Sequence, residues 1–373
     1  MCGFALEGHD SWGDAPLLRT SYGSTMAAIR WSQDVAQEWA RNAGWRVGCN
    51  FTPSTAGNQL EFWQEDTFDA GTIDRELGWA AEVLGMNTVR VYLHNLVHVQ
   101  GAIAHLDRID SFLEMADRHG IATVPVLFDG VWNTRPVPGP QPAPRPHLHN
   151  SMWVQGPGAA VLHDETRWDS LRPYVDDVLD RFGRDERVLA WDLFNEPDQV
   201  DSDTIKSGSR AMKSRSACGL LELVFGWARE IEVSQPLTVG VWEYGIDHEP
   251  VDSAFNRMAL TMSDIISFHC YMPESALRDV VGALAVHDRP LLCTEWLARS
   301  EGSTASLLPV FRELGVGAIN WGLVDGKTQT RFPWKSWTEH VDEDEPWFHE
   351  LLHADGTPYD EAELALFRSV AAN

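Results

Sequence analysis

The chain has 373 residues, 44% apolar and 10% aromatic, which suits a globular protein with a large core and excludes a disordered or collagen-like chain. Its 55 acidic and 29 basic residues give a net charge of −26, a field that repels nucleic acid and anionic membrane and excludes both as main partners. Five scattered cysteines without a CxxC pair exclude a zinc ribbon or a thioredoxin-like motif, and no apolar stretch is long enough to span a bilayer.

The start, MCGFALEGHD, has no basic segment followed by an apolar one, so a cytoplasmic location is expected. Residues 25–43 predict a helix, with Ser24 or Thr25 as its cap and Gly44 as its stop. Residues 1–43 read as an N-terminal extension packing on the domain that follows.

From residue 44 a unit recurs: a short continuous apolar run, a loop, then an amphipathic stretch of helical period. The runs are 46–51, 87–93, 121–128, 188–194, 237–242, 265–270, 290–296 and 317–322. Helical stretches between them lie at 72–84, 107–119, 169–182, 216–232, 276–287 and 304–314. Continuous apolar strands alternating with helices predict a parallel sheet. Eight such units predict an α/β fold of the (β/α)₈ barrel type as a single domain over 44–373. The rival, an open dinucleotide-binding sheet, needs a glycine-rich turn after its first strand, and TPSTAGNQLEFWQ has no GxGxxG.

Two connections exceed ordinary βα loops. Residues 129–168 are rich in proline (RPVPGPQPAPRPH) and carry Trp132, His147, His149, Asn150, Trp153 and Trp168; residues 323–347 carry Trp334, Trp337 and Trp347. Both follow strands, so both belong on the C-terminal face, where barrel enzymes build their sites.

Two strands end in a glutamate. Trp191-Asp192-Leu193-Phe194-Asn195-Glu196-Pro197 closes the fourth and Pro290-Leu291-Leu292-Cys293-Thr294-Glu295-Trp296 the seventh. Alone, Asn-Glu-Pro is equally good turn chemistry, and Glu295 has a lesser alternative as a buried acid satisfied by an arginine or hydroxyl. Together they place two carboxylates in one barrel mouth, where unpaired charge is costly unless used. Glycoside hydrolysis needs such a pair: one acid to protonate the leaving oxygen, one carboxylate to attack.

The set of residues resembles the clan of retaining (β/α)₈ glycosidases that includes the cellulase and mannanase type, glycoside hydrolase family 5. The resemblance runs through residues 44–325 in order. It implies Glu196 as acid/base, Glu295 as nucleophile and Asn195 as partner of the sugar 2-hydroxyl. Arg90 in NTVRVYLH matches the arginine that supports the nucleophile, expected through a two-pronged bond. His269 and Tyr271 in SFHCY match the strand-six pair, and Trp321 in INWG matches the sugar platform. The third strand, VLFDG, lacks the expected histidine, and the proline-rich insertion is foreign to the clan, so neither points to a substrate.

The chain holds 17 tryptophans, and flat indoles suit sugar C–H faces. Trp79, Trp191 and Trp227 read as core; Trp63, Trp132, Trp153, Trp321, Trp334 and Trp337 read as loop aromatics, half of which should touch substrate. Trp63, Trp132 and His147 join the expected substrate-binding set. No cofactor and no metal is expected: HExxH and GxSxG are absent, and His94 and His98 lack a third ligand nearby in sequence. The function expected is retaining hydrolysis of a β-linked glycoside or short oligosaccharide, by exo action. The alternatives are a transglycosylase using the same glutamates, a metal-dependent sugar isomerase and a non-catalytic carbohydrate-binding barrel.

Overall fold

The computed structural model describes residues 30–199 and 210–371. Eight short strands form the sheet: β1 Val47–Asn50, β2 Thr88–Tyr92, β3 Ala122–Val126, β4 Trp191–Asp192, β5 Leu237–Thr238, β6 Ile266–His269, β7 Leu291–Glu295 and β8 Gly317–Trp321. All pairings are parallel, in the order β5-β4-β3-β2-β1-β8-β7-β6. Each of the eight expected runs contains one of these strands, with ends trimmed by one to several residues.

The barrel closes at the β5–β6 seam. Val241 bridges Phe268 in parallel, the Val241 amide donates to Ser267 O (3.0 Å), and the His269 amide donates to Val241 O (2.9 Å). Apart from Ala122 and Leu291 at their starts, the strands are buried on both faces, which is why the runs read as continuous rather than alternating. Helices such as Ala70–Glu82, Ala102–Arg118 and Arg172–Phe182 cover the outside.

The expected N-terminal helix starts later than its pattern suggested. It runs Gln33–Ala43 (α1), because the Ser32 side chain accepts from the Val35 amide and caps it there. Gly44 ends it at φ 69°, a left-handed turn that suits glycine. The proposed caps Ser24 and Thr25 lie outside the described residues. Trp39 and Ala43 of α1 pack against Val124, Leu189, Ile265, Leu292 and Ile319, the residues at the strands' N-terminal ends. So α1 plugs the floor of the barrel. Arg289 fastens its entry by donating to Trp31 O (2.7 Å) and Asp264 O (3.1 Å).

The long connections are more ordered than their composition suggested. Residues 129–168 contain a short helix, Ala159–Leu162, and run into a 3-10 turn, Glu165–Leu171. Their middle is stitched to the loop after β8. The Asn150 amide donates to Thr328 O (2.8 Å), the His149 amide to Ser336 Oγ (3.0 Å) and the Trp337 indole to His149 O (2.8 Å). The β3 and β8 loops therefore form one wall on the C-terminal face.

Candidate active site

Strand register assembles the site. Asn50 at the tip of β1 pairs with Arg90 on one side and Trp321 on the other, and His269 pairs with Glu295. A register shift between Phe268 and His269 marks a bulge, the usual device for re-aiming a side chain at a barrel rim. Glu196 follows β4 with φ 39°, left-handed backbone that costs a non-glycine residue about 1–3 kcal/mol. The neighbouring turn holds it there. The Gly130 amide donates to Asn195 O (2.8 Å), and a Cβ on Gly130 would sit 2.3 Å from Glu196 O. Only glycine lets the two loops approach so closely.

Glu295 is the best-held group in the mouth. Its Oε1 accepts from Arg90 Nη1 (2.9 Å) and the Tyr92 hydroxyl (2.8 Å), and its Oε2 accepts from the Tyr271 hydroxyl (2.8 Å). Burial disfavours its charge, but His269, Arg90, Tyr271 and Tyr92 more than offset burial and hold its carboxyl below the usual glutamate value. It therefore stays ionised in a dry setting.

Arg90 is completely buried. Its contact with Glu295 is a single N–H, not the expected fork. The fork goes to Asp192, whose Oδ2 accepts from both Nε (3.0 Å) and Nη2 (2.8 Å). Remaining donors reach Asn50 Oδ1 (2.8 Å), the Tyr92 hydroxyl (2.5 Å) and Asn195 Oδ1 (2.7 Å). One guanidinium thus ties four strands to one carboxylate. Asn195 Nδ2 in turn donates to Asp129 Oδ1 (3.0 Å). Asp129 Oδ2 accepts from the Trp153 indole (2.5 Å) and Gln59 Nε2 (2.8 Å). Asp129, the acid of the VLFDG run, thus holds the amide of Asn195.

Glu196 has a different partner. His269 Nδ1 lies 2.6 Å from Glu196 Oε1 and 3.6 Å from Glu295 Oε2. Burial works against a charge on the imidazole, yet Glu295 and Glu196 outweigh it and raise the His269 pKa. One oxygen of each glutamate and one ring nitrogen of His269 all lie within 4.8 Å of one another. That is also a possible cation site by ligand type. The donors on Glu295 argue otherwise, since Arg90 already neutralises the carboxylate a metal would need.

The aromatic residues divide. Trp321 sits beside Tyr92 (5.7 Å, edge-on) and Trp153 (5.6 Å). Half-buried Trp132 packs on that cluster and stacks on Trp337 at 5.2 Å, while Trp334 meets Tyr271 edge-on at 5.0 Å. Trp63 does not belong here: it is fully buried, stacked on Phe62 (4.3 Å), with its indole donating to Tyr92 O (2.7 Å). Its segment forms a helix, Gln59–Trp63, that turns the ring into the core. His147 joins the two loops instead of facing the mouth. It stacks on Phe332 (5.1 Å) and pairs with Glu343 (2.8 Å).

Tyr92, Asp192 and Asn50 were missed. Two of them had a signal: residues two apart on a strand share a face. Tyr92 is two from Arg90, and Asp192 is four from Glu196.

No family model matches the chain, and no curated protein is similar to it in sequence. Solved structures are similar in fold. A GH5_18 variant from Bifidobacterium longum, in complex with Manβ1-4GlcNAc, aligns over 88% of this chain and 78% of its own, with a TM-score of 0.61 and 15% identity. A β-glucosidase aligns over 88% and 99%, with a TM-score of 0.57 and 14% identity. A hyperthermostable endo-1,4-β-D-mannanase from Thermotoga petrophila aligns over 88% and 99%, with a TM-score of 0.54 and 14% identity. At such identities the likeness establishes the barrel and leaves the chemistry to the site.

Proposed function

We propose that the chain is a retaining β-glycoside hydrolase of the family 5 type, with Glu295 as nucleophile and Glu196 as acid/base. The observation that carries this reading is the unequal environment of two neighbouring carboxylates. Glu295 is held ionised by His269, Arg90 and two hydroxyls, while Glu196 lies 2.6 Å from His269 Nδ1. Carboxyls about 5–5.5 Å apart suit direct attack, and about 6.5–9.5 Å leaves room for an inverting water. Oxygens within 4.8 Å favour the first.

The mechanism is double displacement. Glu295 attacks the anomeric carbon as Glu196 protonates the departing oxygen. The resulting glycosyl ester is then cleaved by water, which loses its proton to Glu196. Asn195, oriented by Arg90 and Asp129, offers its remaining amide hydrogen to a ring hydroxyl. Trp321 supplies a platform.

The similar structures suggest gluco- or manno-configured β-glycosides. The stitched wall of the β3 and β8 loops favours a closed-ended pocket and short substrates, cut from one end. A cytoplasmic location accords with four unpaired buried cysteines, Cys49, Cys218, Cys270 and Cys293. Among the described residues no helix is long and apolar enough to cross a membrane.

Glu196→Ala tests the acid/base. Hydrolysis of an unactivated disaccharide should fall about 10²–10⁴-fold. A dinitrophenyl glycoside, which needs no proton on its leaving group, should still form the glycosyl-enzyme rapidly, and added azide should restore turnover. Equal losses on both substrates would refute the role. A chelator should leave the wild-type rate unchanged; a chelator-sensitive rate would favour the isomerase alternative.

The pH profile follows from the two shifts. Glu295 must be ionised, and its pKa is lowered, so the acid limb of kcat/KM should lie below the ordinary glutamate value of about 4.3. The His269 pKa is raised beside Glu196, so an alkaline limb set by the His269 proton should lie above about 6.5. His269→Gln should draw the alkaline limb to lower pH and, because His269 leads the groups that hold Glu295 down, move the acid limb to higher pH, narrowing the profile from both sides. An unmoved alkaline limb would separate His269 from the proton inventory.

A further inference from the structure

Beside Trp321 a small cleft of ≈ 10 Å³, enough for about one water or hydroxyl group, is lined by Asn50, Tyr92, Trp153, Thr328, Thr330 and Glu350, among others. It shares two walls with the catalytic site: Trp321 and Tyr92, the latter donating to Glu295. Glu350 stands at its back, 2% exposed. Its Oε1 is held by the Thr330 hydroxyl and, at 3.5 Å, by the Thr328 hydroxyl. Its Oε2 is buried with no hydrogen-bond partner among the described residues. That oxygen lies against Gly322, where a Cβ would come within 2.7 Å of it. Gly322 follows the platform residue directly and has φ 81°. A side chain there is excluded twice, by backbone and by space.

A buried carboxyl oxygen without a partner is costly, and none of the catalytic steps uses this one. We propose that Glu350, steadied by Thr328 and Thr330 and given room by the missing side chain of Gly322, is a specificity residue that binds a hydroxyl or hydroxymethyl group of a neutral pyranose ring lying on Trp321. This assignment rests on the glycosidase reading above and names the substrate class of that site.

The electrostatics agree with a neutral ligand. Burial pushes the Glu350 carboxyl up to about 8; the Thr330 hydroxyl opposes it, Asp325 adds to it, and the Leu323 amide and Arg299 oppose it. The buried thiol of Cys49 also faces it and is itself raised. At neutral pH the group therefore carries a proton that Oε2 can donate. With Glu350 uncharged, recognition of the ring runs through that hydrogen bond and not through charge.

The test uses the full-length enzyme with a neutral glycoside it hydrolyses and the corresponding set of monodeoxy analogues. Wild type should lose about 10- to 100-fold in kcat/KM on the one analogue lacking the recognised hydroxyl. Glu350→Leu should lose a similar factor on the parent substrate, mainly through KM, and no longer discriminate against that analogue. Glu350→Gln, which keeps a donor at the Oε2 position, should retain the discrimination. Should the leucine variant not fold, pH supplies the readout. The wild-type KM should rise above about pH 8 as the carboxyl loses its proton, and that of Glu350→Gln should stay flat. A leucine variant that discriminates as wild type does, or a glutamine variant whose KM follows the wild-type pH profile, overturns the assignment while leaving Glu196 and Glu295 in their roles. A wild-type protein that hydrolyses no glycoside removes the glycosidase reading itself.

Discussion

Glu295→Ala should abolish hydrolysis of any glycoside, with kcat at least about 10⁴-fold below wild type. The loss should be the same for good and poor leaving groups, because no glycosyl-enzyme forms without the attacking carboxylate, whatever the leaving group. This separates the two glutamates more sharply than the size of either effect. Folding should survive the substitution, since Arg90 keeps its fork on Asp192 and its bonds to Asn50 and Asn195. Thermal unfolding of the variant near that of wild type, with activity gone, is the expected pair of measurements. Residual activity within tenfold of wild type would move the nucleophile elsewhere.

The second large effect belongs to Arg90. Arg90→Met fills much of the same volume but leaves Asp192 and Glu295 buried without their cation. Removing one partner of a buried ion pair costs about 3–5 kcal/mol, so denaturant unfolding should show a loss of that order. Activity should fall as well, because the Glu295 carboxyl would no longer be held low. The pH dependence has a definite sign. A lowered folded-state pKa at Glu295 contributes stability that is present above the unfolded value and lost as pH falls through the folded one. Without Arg90 that contribution shrinks, so the stability gap between wild type and variant should narrow towards low pH. His269 works the other way: its raised pKa contributes stability below the unfolded value that is lost as pH rises through the folded one. Arg90→Lys restores charge without the fork, and should recover part of the stability while leaving Asn195 poorly oriented.

The barrel was legible because parallel strands buried on both faces must read as apolar runs, and 3.6-residue periods mark the helices between them. The two glutamates were legible because a charged residue closing such a run demands a use. What lay beyond reach depended on spacing between distant segments. That Arg90 spends its fork on Asp192 follows from the register of β2 against β3 and β3 against β4, which local pattern does not set. Trp63 looked like a loop aromatic because its helix, Gln59–Trp63, is too short to show a period. His147 looked like a site residue because the β3 loop is long. Nothing in that loop announces that it would be tied to residues some 180 positions later. Glu350 was invisible for the same reason, standing in an irregular segment after β8 that only the folded chain brings beside Trp321. Tyr92 could have been found from Arg90 by the two-residue alternation of a strand.

The most direct test of the central claim is to trap the covalent intermediate. The protein is incubated with a 2-deoxy-2-fluoro glycoside bearing a fluoride or dinitrophenyl leaving group, digested, and mapped by mass spectrometry. The account predicts one sugar per chain, attached to the peptide carrying Glu295, and absent from Glu295→Ala. Labelling at Glu196, or an enzyme that turns over glycosides with inversion and never forms an adduct, would contradict it.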